Sequence, residues 1–116
     1  MATISNIDTN YFSENNIRYV FLDGNLCKNL DQCYDTLQEQ LSLPDYFGRN
    51  LDASEEVLSD LEWVGEKKIK IIILNEKQLL INDLKKKKAF LDILNESDNE
   101  RLEVIYLNKS NETMKP

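Results

Sequence analysis

The run "LPDYFGRNLDASEEVLSD", residues 43–60, places Asp52, Glu55 and Glu56 at helical spacing behind a turn of aromatic residues. At about 100° per residue, Leu51, Val57, Leu58 and Leu61 fall on one arc of a helix and the three acids with Asp60 on the other. Carboxylates three and four positions apart repel by roughly a few tenths of a kcal/mol per pair. Asp52 recovers part of this in the first turn, at the positive end of the helix dipole. No lysine stands four residues on from any of them, and Arg49 is the only base nearby. Tyr46, Phe47 and Gly48 set a turn beside the charges. An aromatic group next to carboxylates is the chemistry that holds a cationic partner. The same pattern is compatible with a solvated helix face or with an acidic module for some other basic protein. It is also compatible with a carboxylate-pair hydrolase built on Asp52 and Glu56. That enzyme needs one acid kept protonated in a concave pocket, whereas adjacent turns of an exposed helix make a convex surface.

Composition narrows the chemistry. The 116 residues include no histidine and two cysteines, Cys27 and Cys33, whose spacing matches no metal motif. The commonest general base, the commonest metal ligand and every histidine-dependent triad are therefore missing, and no cofactor or metal is expected. The net charge is −7. Between Asp31 and Glu66 ten acids face Arg49 alone, a local −9 that leaves +2 for the rest of the chain. So polarised an acidic segment opposes nucleic-acid binding. The lysine run 85–88 reads as a solvated approach to a helix. The longest apolar runs, "IKIIIL" and "YVFL", are far too short to span a membrane, and the N-terminus lacks a signal-peptide pattern. The expected setting is the cytoplasm, where both cysteines stay free thiols.

One domain is expected at this length. "RYVFLDG", "KIKIIILN" and "RLEVIYLN" read as strands near 18–22, 68–74 and 102–107. The continuous β-branched run of the second suits a central parallel strand covered on both faces. Asn29, with Gln32 three residues on, caps a helix that stops before Pro44, and Asn50 caps a second helix running to about Asp60. "EKQLLINDL" is a short helix or turn, and "KKKKAFLDILNE" a further helix. Tyr34 sits on the apolar face of the first helix, and Trp63 packs at the end of the second. The alternation predicts an α/β fold with a small three-stranded parallel sheet covered by helices. Residues 1–17 form an extension whose sequence is compatible with a short strand, 18–108 the domain and 109–116 a polar tail.

The stretch "LSLPDYFGRNLDASEEVLSDLEWV" resembles the barstar family of intracellular ribonuclease inhibitors. The family pattern, Leu-Pro-acid-aromatic-aromatic-Gly-x-Asn-Leu-Asp-Ala, stands here as Leu43 to Ala53. More loosely the resemblance covers about residues 18–108. It implies a stoichiometric inhibitor, monomeric when free, of a basic secreted ribonuclease or related toxin. An acidic helix and adjoining loop would plug the enzyme's active site, and carboxylates would take the places of RNA phosphates. By position, Tyr46 matches the family's contact aromatic, Asp52 and Glu56 its two principal helix acids, and Glu96 its peripheral acid. Phe47, Arg49, Asn50 and Glu55 complete the expected contact surface. Three positions depart from the family. Glu56 replaces a shorter aspartate, Glu55 a tryptophan and Arg49 an acidic residue, which implies a contact surface with less apolar area and a different charge pattern.

Overall fold

A computed structural model describes residues 11–43 and 47–107. Along the chain run β1 (Phe12–Glu14), β2 (Ile17–Asp23), α1 (Leu30–Leu41), α2 (Leu51–Ser59) and β3 (Lys68–Leu74). A short 3-10 turn (Ile81–Asp83), α3 (Leu84–Glu96) and β4 (Leu102–Leu107) follow. The three expected strands are present and mutually parallel, with Val20 opposite Ile71 and Ile71 opposite Val104.

The sheet departs from expectation in two respects. Among the described residues it has four strands in the order β1-β2-β3-β4 and is mixed, because β1 pairs antiparallel with β2. The cause is local: Asn15 and Asn16 both adopt left-handed backbone, φ 56° and 66°. Two such residues make the tight hairpin whose twist matches antiparallel strands. Asparagine tolerates that conformation better than most residues. Thus β1 lies inside the stretch read as an extension.

The second departure concerns coverage. The buried helical side chains, including Leu37, Leu41, Leu58, Phe90 and Leu94, join one cluster with Val20, Leu22, Ile69, Ile71, Ile73 and Leu102. Ile72, on the opposite face, is buried but stands outside that cluster. Among the described residues, the β3 run is therefore not covered by helices on both faces. Strand order supplies the reason. Right-handed crossovers that step in one direction, β2 to β3 to β4, leave every connecting helix on the same side. On the other face the register brings together Phe12 and Tyr19, and then Phe21, Ile72 and Ile105. The rings of Phe12, Tyr19 and Phe21 lie 5.3–6.4 Å apart there.

Caps and clips hold the helices in place. The Asn29 side chain accepts from the Gln32 N–H at 2.9 Å, and the Gln32 side chain accepts from the Lys28 N–H at 2.8 Å. The expected capping box is therefore closed one residue further upstream than usual. Asp83 ties the start of α1 to the 3-10 turn by accepting from the Leu30 N–H at 3.1 Å. At the other end Ser42 turns left-handed, φ 56°. Trp63, half-buried, donates its indole N–H to the Leu41 carbonyl at 2.9 Å. Arg101 gathers the connection after α2 by donating to the carbonyls of Leu61, Val64 and Glu66. Cys27 and Cys33 are free and buried. No helix of the described residues is long and apolar enough to cross a membrane.

Candidate functional site

The acidic helix α2 starts at Asn50, whose side chain accepts from the Ala53 N–H at 2.7 Å. This cap satisfies one of the helix's free N–H groups and fixes the direction of the first turn. Ser54, fully buried, anchors the same turn by donating to the Asn50 carbonyl at 2.8 Å. The buried stripe is accordingly Ser54, Leu58 and Leu61, with Leu51 and Val57 half-buried at its margins. A polar residue at the centre of the arc hides this from an apolar count. The i, i+4, i+7 spacing is the signal that reveals it.

With that stripe inward, Asp52, Glu55, Glu56 and Asp60 are exposed. None of these four carboxylates enters an ion pair or a side-chain hydrogen bond among the described residues. Unneutralised carboxylates on two turns of one helix make a convex anionic surface. Asp52 borders a cavity of about 510 Å³. Tyr34, Arg49, Asn50 and Lys86 are also on its wall.

Phe47 is buried and meets Tyr34 edge-on, ring centroids 5.5 Å apart. It is thus a support under the loop as well as a loop aromatic. Arg49 is half-buried and directed to α1. It donates to Gln38 Oε1, to the Asp31 carbonyl at 3.0 Å, and to the Asp31 and Asp35 carboxylates at 2.9 Å each. Hydrogen bonding to Asp31 raises the Arg49 pKa above its ordinary value, against the opposing effect of burial. Burial likewise pushes the Tyr34 phenol up, with Ser54 acting against it. Asp31, Asp35 and Gln38 were not among the expected site residues. Their spacing of four and then three does place them on one stripe of α1, but only the folded chain shows that this stripe faces Arg49.

Glu96 is the last residue of α3 and is exposed. Lys86, which borders the Asp52 cavity, lies ten residues earlier on that helix, about 15 Å along its axis. The structure therefore places Asn50, Asp52, Glu55 and Glu56 on the cap and first two turns of α2, directs Arg49 to α1, and sets Glu96 at the end of α3. Tyr46 lies outside the described residues.

A capped helix whose acids are unpaired among the described residues, fed by a Gly-x-Asn turn and backed by a mixed sheet, can be compared with known proteins. The chain matches the family model described as Barstar (barnase inhibitor) over residues 17–109. The chain belongs to the barstar family. It is also similar to the Bacillus subtilis (strain 168) protein named "Putative ribonuclease inhibitor YrdF", with 40% identity over 48 residues. That match covers 41% of this chain and 50% of the relative, so the chain spans about half the length of the curated relative it matches. The four-stranded mixed sheet is the form the barstar family's α/β architecture takes in this member.

Proposed function

We propose that this barstar-family protein is an immunity protein that binds a basic secreted ribonuclease or related toxin and blocks its active site. The inhibitory unit is residues 18–108, acting as a cytoplasmic monomer. Asp52 and Glu56 enter the cationic cleft in place of substrate phosphates. Tyr46, Phe47, Asn50 and Glu55 shape the surrounding contact, and Glu96 contributes at the periphery.

The observation that carries this reading is the state of the α2 acids. They are exposed and, among the described residues, unpaired on a capped helix, in a chain that belongs to a family of inhibitors. Leaving like charges unneutralised costs the free protein stability. A cationic partner would reverse that cost on binding. A hydrolase built on Asp52 and Glu56 is less well supported, because Glu56 is absent from the wall of the cavity that Asp52 borders.

The test is capture on the immobilised protein from the culture supernatant of the organism that makes it, with barnase as a reference nuclease. One basic nuclease should be retained and lose its activity at an equimolar ratio. The variant carrying both Asp52→Ala and Glu56→Ala should not retain it. Equal capture by that variant, or failure of the retained nuclease to lose activity, would overturn the reading.

A further inference from the structure

The loop entering α2 is held in a backbone conformation that its own residue disfavours. Arg49 sits at φ 53°. There a side chain's Cβ crowds the following carbonyl, and a residue other than glycine persists only where surrounding contacts over-determine it. The next residue, Asn50, is the extended N-cap of α2, φ −146°. The direction of the acidic helix is thus set immediately after the strained position. The contacts that hold Arg49 come from α1. Nη1 engages Gln38, and Nη2 engages the Asp31 carbonyl with the Asp31 and Asp35 carboxylates. The guanidinium also stands 5.7 Å from the centre of the Tyr34 ring.

We infer that Arg49 is a positioning residue of the inhibitory site. By bridging Asp31, Asp35 and Gln38 of α1 it fixes the Phe47–Asn50 segment and thereby the orientation of Asp52 in the first turn of α2. This rests on the inhibitor reading for its functional meaning. Electrostatics favour the assignment. A guanidinium turned toward a basic partner would repel it, whereas one folded onto α1 spends its charge on Asp31 and Asp35 and leaves the α2 acids unmasked. The planar fork also matters, since an ammonium is a point charge and does not reproduce this multidentate bridge.

Two arms test the assignment, with wild type, Arg49→Gln, Arg49→Lys, the Asp31→Ala/Asp35→Ala pair, and Arg49→Gln combined with that pair. The first arm is partner-free. Amide hydrogen exchange of the free proteins should be about tenfold faster from Asn50 to Ser54 in both Arg49 variants, through local opening. The Asp31→Ala/Asp35→Ala pair should show the same increase, and the combined variant no further one. Exchange in β3 should be unchanged, which separates loss of the clamp from global unfolding. Unchanged exchange in Arg49→Gln overturns the inference. The second arm measures binding kinetics to the nuclease retained in the capture experiment, or to barnase. Arg49→Gln should speed dissociation about tenfold, equivalent to about 1.4 kcal/mol, without slowing association. That increase should vanish in the Asp31→Ala/Asp35→Ala background. If it persists there undiminished, Arg49 touches the partner directly and the inference is wrong. If wild type binds neither nuclease, the inhibitor reading fails while the exchange arm still decides the clamp.

Discussion

Asp52 and Glu56 carry the proposal at the scale of single residues, because each is exposed, unpaired among the described residues and four positions from the other. An arginine or lysine of the partner buried against either would be left uncompensated when the acid is truncated. Such losses cost about 2–5 kcal/mol, far more than rim charges. Asp52→Ala and Glu56→Ala should each weaken inhibition of the cognate nuclease by that order, with Tyr46→Ala next, while circular dichroism shows the variants folded. Wild-type inhibition by both acid variants would reduce α2 to a solvated face. A different residue controls folding rather than binding. Gly24 ends β2 where the chain passes so close to the turn after β3 that a Cβ would meet the Asn75 carbonyl oxygen at 2.0 Å. Gly24→Ala must push two backbones apart. It should lower stability by about 1–3 kcal/mol, as overpacking does, measurable as a lower urea midpoint. The capping asparagines and the acidic stripe were legible as residue types at fixed offsets. The inward turn of Arg49 was not, since it depends on which neighbour the loop meets, and the burial of Ser54 shows in the i, i+4, i+7 spacing but not in an apolar count.

Between elements, Arg18 is the rivet. It is buried in β2, donates to the Gln40 carbonyl near the end of α1 at 3.1 Å, and pairs with Glu66 ahead of β3 at 2.9 Å. Its guanidinium also lies over the Tyr11 ring at 3.6 Å. Burial works to raise the Glu66 pKa, but hydrogen bonding to Ser13 and the attraction of Arg18 prevail and hold it below the ordinary 4.5. A carboxyl depressed on folding contributes stability that is fully present above its unfolded pKa and is lost as pH falls through the folded one. Thermal melts should therefore show this contribution intact above about pH 4.5 and declining below it. The decline should be shallower in Glu66→Gln, and identical acid limbs in the two proteins would exclude Glu66 as a source. The same scale explains the hairpin. The pair Asn15-Asn16 is a two-residue turn signal, yet it sits in a polar stretch whose following strand is easier to read than the short one before it. The outer edge of β4 is blunted similarly: Asp98 accepts from the Val104 N–H at 3.0 Å and Asn99 from the Leu102 N–H at 2.9 Å. Side chains filling an edge's free donors discourage strand-to-strand association.

For the molecule as a whole, the dominant property is the concentration of negative charge between Asp31 and Glu66. If that face steers a basic enzyme, the association rate should fall steeply with added salt, because screening shortens the field to about 8 Å near physiological ionic strength. Dissociation should change far less. The barnase–barstar pair is itself a worked case of such steering, so this expectation is inherited through the family. Stopped-flow association from low to high salt is the measurement, and a flat on-rate would indicate a mainly apolar interface.

The chain by itself determined the three parallel strands, the capped helices and the acidic stripe. Each is a periodic or short-range pattern whose physics acts within a few residues. The Leu-Pro to Asp-Ala run also carried the family from sequence alone. Tertiary structure decided what depends on which elements become neighbours. Same-handed crossovers stepping one way left a single sheet face clothed in helices and the other with Phe12, Tyr19 and Phe21. The approach of α1 to the α2 loop turned Arg49 from a nearby base into a bridge to Asp31 and Asp35, a pairing between residues 14 to 18 positions apart. Distances of that kind are set by packing, which no local spacing rule encodes.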